Sequence, residues 1–252
     1  MKILTVDIET APTGAWVFDL WNQNISLNQM RENARIMCFG AKWYESDEPT
    51  MFFSEFHDGA DTMIGTAHEL LEEADAVVTY NGDAFDLKHF NREFFLREMR
   101  PPKPYAKIDL YKIVKQNFKF SSNKLDHVAQ QIDIGSKVKH AGFGLWVRCM
   151  NNDFQAWEEM KKYNIQDVEL TEDLYTRILP WIGNHPNHAM YPDDDEDESP
   201  IGDICPNCSS TRLEKRGFRV VQTRRYQQYQ CKDCGSWSRS TRAEDGVEVR
   251  AS

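Results

Sequence analysis

Residues 2–9, Lys2-Ile3-Leu4-Thr5-Val6-Asp7-Ile8-Glu9, alternate apolar and polar side chains as a β-strand does. The apolar face of this strand is formed by Leu4, Val6 and Ile8, so Asp7 and Glu9 share the opposite face. An exposed sheet edge is one interpretation of such a pair of acids. The other is a buried pair, and carboxylates that are buried together need a cation to share.

A third acid, Asp86, follows a short apolar strand at residues 76–80 and the turn signal Asn81-Gly82. A helix is predicted from about residue 86 to residue 99, which makes Asp86 a candidate N-cap. The carboxyl end of a sheet strand is also the place where α/β proteins bind ligands. Asp86 is therefore both a candidate cap and a candidate ligand.

A fourth acid, Asp167, lies on a helix predicted from about residue 161 to residue 179. At about 100° per residue, Asp167 falls in the middle of an apolar arc, and Glu169, Glu172, Asp173, Thr176 and Arg177 fall on the opposite side. The arc consists of Tyr163, Leu170, Thr171, Leu174 and Ile178. A buried Asp must be protonated, bound to metal or paired with a Lys or Arg, and Tyr163 lies one turn earlier on the same face.

The remaining patterns predict an α/β fold with a mixed sheet, because strands come first and helices alternate afterwards. Further strands are expected at residues 36–44, 50–54 and 108–110, and further helices at residues 61–74, 111–118, 124–132 and 153–160. Residues 13–35 receive no assignment. The predicted domains are residues 1–182, an acidic linker at 183–203 that contains the run Asp193–Glu198, and a small module at 204–252.

The C-terminal module is defined by two Cys-x-x-Cys pairs, Cys205/Cys208 and Cys231/Cys234, separated by 22 residues. This spacing is typical of four thiolates around one Zn²⁺, and a hairpin of residues 218–222 and 226–230 would make the module a zinc ribbon. Metal binding would then supply most of its folding energy. Two disulfides are the alternative. The remaining thiols, Cys38 and Cys149, have apolar neighbours and are predicted to lie in the core.

Charge is distributed unevenly along the chain. Residues 205–252 contain ten Lys and Arg against five Asp and Glu, a net +5, which leaves −15 on residues 1–204 of the total −10. The basic module is therefore the candidate for contact with a phosphate backbone, and a solvated basic face is the alternative. Its arginines are interleaved with aromatic residues: Arg216, Phe218, Arg219, Arg224, Arg225, Tyr226, Tyr229, Trp237, Arg239 and Arg242.

No apolar run reaches the roughly 20 residues that a membrane helix needs. An acid follows too soon after Met1 for a signal peptide. We therefore expect a protein that makes no membrane contact and stays in the cytoplasm, which would be the host cytoplasm if a phage encodes it.

The order Asp-x-Glu, Asn-x3-Phe-Asp and Tyr-x3-Asp resembles the three exonuclease motifs of the DEDD 3′–5′ exonucleases, in their tyrosine variant. The histidine variant would need His where this chain has Lys162. The resemblance spans residues 1 to about 180 and implies a ribonuclease-H-like fold, with the zinc ribbon as an addition. The stretch from Leu145-Trp146 to Trp181 is also similar to stand-alone exonucleases encoded by bacteriophages.

The resemblance implies roles for individual residues. Asp7, Glu9 and Asp167 would hold one Mg²⁺ or Mn²⁺, and Asp7 with Asp86 would hold a second. Tyr163 would orient the attacking water. The terminal nucleotide would be positioned by substrate-binding residues, namely Thr10, Asn81 and Phe85.

The implied substrate is nucleic acid with a free 3′ end, with DNA favoured over RNA and single-stranded ends favoured over duplex ends. The ribbon would bind the nucleic acid or, alternatively, replication or repair proteins. A structure-selective or RNA-directed nuclease on the same fold and a non-catalytic binding protein are the alternative functions. Cleavage that persists in Mg²⁺ after Asp7→Ala would contradict the catalytic interpretation.

Overall fold

A computed structural model describes residues 1–138, 142–191 and 204–248. The chain forms two compact units, Lys2–Leu174 and Tyr175–Ser252 together with Met1. Each unit is considered by itself. The predicted acidic run Asp193–Glu198 lies outside the described residues.

The first unit is built on a five-stranded sheet. Its strands and those of a separate small hairpin are, in chain order, β1 (Ile3–Thr10), β2 (Gly14–Ala15), β3 (Met30–Glu32), β4 (Ile36–Trp43), β5 (Met51–Ser54), β6 (Ala76–Thr79) and β7 (Ala106–Asp109). The sheet order is β5-β4-β1-β6-β7, with β4 antiparallel to β1 and β5, and with β6 parallel to β1 and β7. The sheet is therefore mixed, as predicted, and the carboxyl ends of its three parallel strands meet at one edge.

Helices cover this sheet. They are α1 (Ala60–Glu73), α2 (Asp86–Leu96), α3 (Leu110–Asn117), α4 (Leu125–Gln131), α5 (Phe143–Met150) and α6 (Phe154–Ile178). Two predictions were wrong or incomplete. The helices expected at residues 153–160 and 161–179 are one helix, because buried Trp157 and Met160 continue the apolar face of α6 without a break. Helix α5 was not predicted.

The apolar core has two parts. One part joins Leu4, Val6 and Ile8 of β1 to apolar side chains of α1 and α2. The other part joins Met37 and Cys38 of β4 to apolar side chains of α5 and α6. The thiols of Cys38 and Cys149 are buried in this second part, as predicted. The face of β1 that carries Asp7 and Glu9 is thereby left for the site.

The second unit contains the last turn of α6, two short 3₁₀ turns (Leu179–Trp181 and His188–Met190) and a four-stranded antiparallel sheet. Its strands are β8 (Leu213–Val221), β9 (Arg224–Cys231), β10 (Trp237–Arg239) and β11 (Asp245–Gly246). The predicted hairpin is present and longer than expected. Asn207 joins the sheet module to the helix end, since its side-chain amide donates to the carbonyl oxygen of Leu179 at 3.1 Å.

Within the parts of the chain that the structure describes, no helix combines the length and the apolar character that crossing a bilayer requires.

Candidate functional site

Three of the predicted acids meet at the edge of the first unit's sheet. The carboxylates of Asp7 and Glu9 on β1 and of Asp167 on α6 offer oxygens that all lie within 4.8 Å of one another. Asp167 is almost fully buried, and Asp7 and Glu9 are half-buried. The alternation of β1 and the apolar arc of α6 thus bring distant parts of the sequence to one point. The exposed-edge interpretation of Asp7 and Glu9 does not hold.

The approach of α6 to the sheet depends on a glycine in β4. Gly40 pairs with Asp7 across the sheet, and a Cβ atom at Gly40 would lie 2.6 Å from Oδ1 of Asn164 and 2.8 Å from Cγ2 of Val168. The space left by this glycine admits the fully buried Asn164. The side-chain amide of Asn164 donates to Oδ2 of Asp7 at 2.9 Å and to its carbonyl oxygen at 3.2 Å. Asn164 therefore fixes the Asp7 carboxylate, a role that the sequence did not suggest.

Asp86 is the first residue of α2, and its side chain is directed to the sheet. Its Oδ1 accepts a hydrogen bond from the backbone N–H of Ile8 at 3.1 Å, between the two acids of β1. The N-cap position is occupied by Phe85, which makes no side-chain capping bond. The capping interpretation of Asp86 is therefore replaced by a direct link to β1. Burial raises the pKa of the Asp86 carboxyl to about 6.

Lys137 is the principal site residue that the sequence did not reveal. Its Nζ lies 2.5 Å from Oδ2 of Asp167 and donates to the hydroxyl oxygen of Tyr163 at 3.3 Å. The predicted alternative of a salt bridge for Asp167 is thus realised. Burial by itself lowers the pKa of Lys137, but the charges of Asp167, Asp7 and Glu9 outweigh burial and raise it. Lys137 therefore stays an ammonium ion at neutral pH.

The acids of the site repel one another strongly. The pKa of Asp7 is raised well above its usual range, first by burial and then by the charges of Asp86, Glu9 and Asp167. Burial and the Asp167 charge raise the pKa of Glu9 to about 8. One lysine does not neutralise four carboxylates, and oxygen donors at this spacing are the ligands that Mg²⁺ and Mn²⁺ prefer. The donor set of Asp7, Glu9 and Asp167 therefore fits a divalent cation.

Two aromatic side chains border the acids. Tyr163 precedes Asp167 by one turn of α6, and burial raises the pKa of its phenol well above the usual value, so the hydroxyl keeps its proton. Trp146 of α5 packs edge-on against Tyr163, with ring centroids 6.0 Å apart, and donates a side-chain hydrogen bond to Glu9. Trp146 was quoted within the resemblance to phage exonucleases without a role, and its contact with Glu9 required helix α5.

An open cleft of about 600 Å³ adjoins the acids. Besides Asp7 and Lys137 it is lined by Tyr80, Asn81, Tyr111, Asn123, Lys124, Leu125 and Asp126. Its volume lies in the range of small-molecule sites, roughly 300–1,000 Å³. Tyr80 and Tyr111 meet edge to face at 5.9 Å, and the Tyr80 hydroxyl donates to the carbonyl oxygen of Asn123 at 2.6 Å. The cleft therefore combines aromatic walls with lysine and amide groups.

Asn81 is held in the cleft by its backbone. It adopts a left-handed conformation, with φ 72°, and its N–H donates to Oδ1 of Asp109 at 2.9 Å. Asp109 is the N-cap of α3 and also accepts from the N–H of Tyr111. Gly82 completes this turn, because a Cβ atom there would lie 2.3 Å from the hydroxyl oxygen of Thr79. One buried acid, which the sequence did not single out, thus shapes two walls of the cleft.

Phe85 and Thr10 are the predicted substrate-binding residues that do not line the cleft. Phe85 is 40% exposed at the start of α2 and packs edge-on against His89. Thr10 ends β1 after a shift in register between Glu9 and Thr10. Both lie within one residue of a site acid, on the same elements.

The face of α6 opposite the apolar arc differs from its prediction at one residue. Glu172 was expected on the exposed side, but it is 8% exposed. Its carboxylate pairs with Nζ of Lys42 on β4 at 2.6 Å, so the acid is buried with a partner. The helical periodicity was right, and the long-range partner could not be seen in it.

The four cysteines of the second unit converge. Their Sγ atoms lie within 4.8 Å of one another, with Cys205 3.6 Å from Cys234 and Cys208 3.7 Å from Cys231. A disulfide needs about 2.05 Å, whereas thiolates at about 2.3 Å from one tetrahedral Zn²⁺ lie roughly 3.8 Å apart. The cluster therefore fits zinc, and the disulfide interpretation fails.

The two cysteine turns have the same backbone geometry. Cys205 O accepts from Ser209 N and Cys205 N donates to Ser210 O, and Cys231 repeats both bonds with Gly235 and Ser236. Ser209 and Gly235 both have positive φ, at 59° and 78°. Paired turns of this kind present four sulfur atoms to one centre.

Comparison with known proteins gives a family and a fold. Residues 26–179 match the RNase_H superfamily, a range that contains Asp86, Tyr163 and Asp167 and begins after Asp7 and Glu9. No curated protein matches the sequence. Among solved structures, the chain is similar to the family B DNA polymerase from the hyperthermophilic archaeon Pyrobaculum calidifontis, with a TM-score of 0.54 and 18% identity.

That alignment covers 71% of this chain and 24% of the polymerase chain. This chain therefore spans about a quarter of the polymerase, and the similarity concerns the fold of that part. The predicted fold class, a ribonuclease-H-like mixed sheet flanked by helices, is confirmed.

Proposed function

Since this chain belongs to the RNase_H superfamily, we propose that it is a metal-dependent 3′–5′ exonuclease of the tyrosine DEDD type. Family membership supports nuclease activity in general. The finer proposal rests on one observation: Asp7, Glu9 and Asp167 converge beside a cleft, with Tyr163 and Lys137 in contact with the cluster. Asp86, tied to β1 between the two strand acids, completes the set.

The acids would act as metal ligands. Mg²⁺ or Mn²⁺ held by Asp7, Glu9, Asp167 and Asp86 would supply activation of a water molecule and neutralisation of charge on the scissile phosphate. The chain prepares these ligands. Asn164 fixes Oδ2 of Asp7, and the N–H of Ile8 fixes Oδ1 of Asp86, so neither carboxylate needs to reorganise.

Tyr163 and Lys137 would act on the water and the phosphate. The Tyr163 hydroxyl keeps its proton, so it orients a water by hydrogen bonding and does not take the proton as a base. Lys137 donates to that hydroxyl and places a positive charge beside Asp167. A positive charge fixed there stabilises the negative charge that develops on the phosphate during displacement.

The cleft would hold the terminal nucleotide. Its aromatic side chains, Tyr80 and Tyr111, offer contact area for a base or sugar, and Lys124 and Asn81 offer groups for phosphate and hydroxyl oxygens. Base edges and faces are free only in a single strand. We therefore favour a single-stranded 3′ end as the substrate, with DNA before RNA.

The cysteine module would bind one structural Zn²⁺ and assist in binding the nucleic acid. Its four sulfur atoms have the separation expected of tetrahedral thiolates. Its basic character supports contact with phosphates, in contrast to the acidic remainder of the chain. A role in recruiting replication or repair proteins is the alternative for this module.

The test uses 5′-labelled single-stranded DNA, duplex DNA and RNA with Mn²⁺, beside Asp7→Ala and the exposed control Asp173→Asn. We expect a ladder of shortening 5′-labelled products from single-stranded DNA, made by the wild type and by Asp173→Asn only. Discrete internal cuts would mean an endonuclease. Cleavage by Asp7→Ala at the wild-type rate would contradict the proposed role of the acids.

A further inference from the structure

The sheet of the cysteine module has two faces of different character. Residues paired across antiparallel strands share a face, and alternate residues along a strand do so too. Arg219 pairs with Tyr226, and Arg239 pairs with Gln228. One face, which we name the arginine face, therefore carries Arg219, Arg224, Tyr226, Gln228, Trp237 and Arg239.

The arginine face carries the positive charge that the module does not neutralise itself. Three arginines elsewhere in the module pair with acids: Arg212 with Asp233, Arg216 with Glu214 at 2.9 Å, and Arg225 with Asp245 at 3.6 Å.

Within residues 204–248, by contrast, no carboxylate lies within 4.0 Å of Arg219, Arg224 or Arg239. Glu214 is on the same face by register, at the far end of β8, and Arg216 neutralises it. The arginine face thus presents a net positive field to solvent.

Aromatic rings lie among these charges. The guanidinium of Arg239 stacks over the Tyr226 ring, 4.2 Å from its centroid, and Trp237 is 53% exposed. Neither ring contributes to an apolar core. A tyrosine and a tryptophan at this exposure, beside cations and the amide of Gln228, form a surface on which nucleobases stack while phosphates meet arginines.

The opposite face lacks this combination. Its exposed ring, Phe218, is covered by Arg225, whose guanidinium lies 4.5 Å from the ring centroid and pairs with Asp245. Charge and ring there satisfy each other. The two faces therefore differ in what they leave for a partner.

We propose that the arginine face binds single-stranded nucleic acid, with Tyr226 and Trp237 stacking on bases and Arg219, Arg224 and Arg239 contacting phosphates. This inference deepens the function proposed above and rests on it for its biological setting. A duplex would offer only its backbone to this face, because its bases are stacked on one another. A protein partner with an apolar docking surface would leave these arginines unpaired.

The test is the affinity of the full-length, zinc-loaded chain for a fluorescein-labelled oligothymidylate, measured by anisotropy over a salt series. All proteins carry Asp7→Ala, and a gel checks that the probe stays intact. Arg219→Gln/Arg224→Gln is compared with Arg212→Gln/Arg216→Gln, which removes the same charge from paired arginines. Zinc content is measured for each protein.

We expect the arginine-face pair to lose about 10-fold in affinity and about 1.4 from the salt slope, at roughly 0.7 per phosphate contact. The matched pair should stay within about twofold, since its charges are already neutralised. Equal losses for both pairs, or no loss for either, would overturn the assignment and favour a protein partner for the module.

Stacking is tested separately at Tyr226. Tyr226→Leu should weaken single-strand binding about 10-fold at an unchanged salt slope, and Tyr226→Phe should not. Equal weakening of a duplex probe by Tyr226→Leu would overturn the single-strand assignment. A wild-type chain that binds as expected but never cleaves would contradict the proposed nuclease function and leave the arginine face standing.

Discussion

The acid cluster and the cysteine cluster differ in what surrounds them. Asp7, Glu9 and Asp167 lie on elements that an apolar core of many side chains already holds in place. Between residues 204 and 248, the buried residues are Cys205, Asn207, Gln227, Cys231 and Ser236, with no buried aliphatic or aromatic side chain. The first cluster is positioned by its fold, whereas the second has to create its own fold.

This difference has a thermodynamic consequence. Four carboxylates brought together cost folding free energy, which the core of the first unit supplies. The cysteine module has no comparable source of free energy, so metal binding must provide it. Metal removal should therefore stop chemistry in one unit and remove structure in the other.

The largest expected effect is on cleavage by Asp167→Asn. Loss of this buried carboxylate should slow cleavage by about 10³-fold, because the metal loses a ligand, while the first unit stays folded. Cleavage rate and thermal unfolding are measured together, with Asp173→Asn on the exposed side of α6 as control. Unfolding of the first unit by Asp167→Asn would break the distinction between the two clusters.

Lys137→Met should separate charge from metal binding within the acid cluster. We expect cleavage to slow by about 10²-fold, since the phosphate and Tyr163 lose a positive charge. Affinity for Mn²⁺ should not fall, because the ammonium ion competes with a cation for Asp167. Calorimetric titration with Mn²⁺ checks this, beside Lys107→Met, an exposed lysine on β7. A variant that loses metal affinity would make Lys137 a structural residue only.

Removal of zinc should affect the second unit alone. Cys231→Ser leaves three thiolates and no apolar core, so we expect the sheet of β8–β11 to unfold and nucleic-acid affinity to fall about 10-fold or more. Hydrogen exchange followed by mass spectrometry reads both units in one experiment. Persistent protection of β9 in the zinc-free variant would show that the module does not depend on its metal.

Gly40→Ala should disturb the acid cluster through packing. The added Cβ would meet Asn164 and Val168, so we expect a loss of about 2 kcal/mol in unfolding free energy and a few-fold slower cleavage. Gly65→Ala on α1 is the control, because nothing lies within 4 Å of its Cβ and alanine favours a helix. A neutral Gly40→Ala would mean that α6 is not held against β4 as closely as we infer.

The pH dependence is the smallest effect. Folding raises the pKa of Glu9 from 4.5 to about 8 and that of Asp86 from 3.8 to about 6. As the pH rises above about 4, the unfolded chain loses these protons first, so the metal-free first unit should lose stability up to about pH 8.

Scanning fluorimetry at constant ionic strength checks this prediction. Mn²⁺ should raise the unfolding temperature by about 5 °C more at pH 8 than at pH 6, because it binds the ionised carboxylates. Glu9→Gln should remove most of the difference. A stability that rises steadily with pH in the absence of metal would contradict the burial of these acids.

Periodicity was sufficient where a residue's environment is set by its own element. The alternation of β1 placed Asp7 and Glu9 together, and the apolar arc of α6 predicted that Asp167 is buried. The spacing of the cysteines likewise predicted their convergence. In each case the information lies within a few residues of the side chain concerned.

Periodicity failed where the partner lies far away in the sequence. Lys137 lies outside the helices and strands, and only its ion pair with Asp167 marks it. Glu172 is buried because Lys42 reaches it from β4, and Asn164 reaches Asp7 because Gly40 makes room. These contacts are properties of packing, which a one-dimensional pattern does not contain.

The most direct test of the acid cluster as a 3′–5′ exonuclease centre is single-turnover hydrolysis of single-stranded DNA labelled on its last 3′ nucleotide. We predict that the wild type releases the label as a mononucleotide, without a lag and only when Mg²⁺ or Mn²⁺ is present. Asp167→Asn should release none on the same timescale. Release of the label in longer fragments, or equal release by Asp167→Asn, would contradict the assignment.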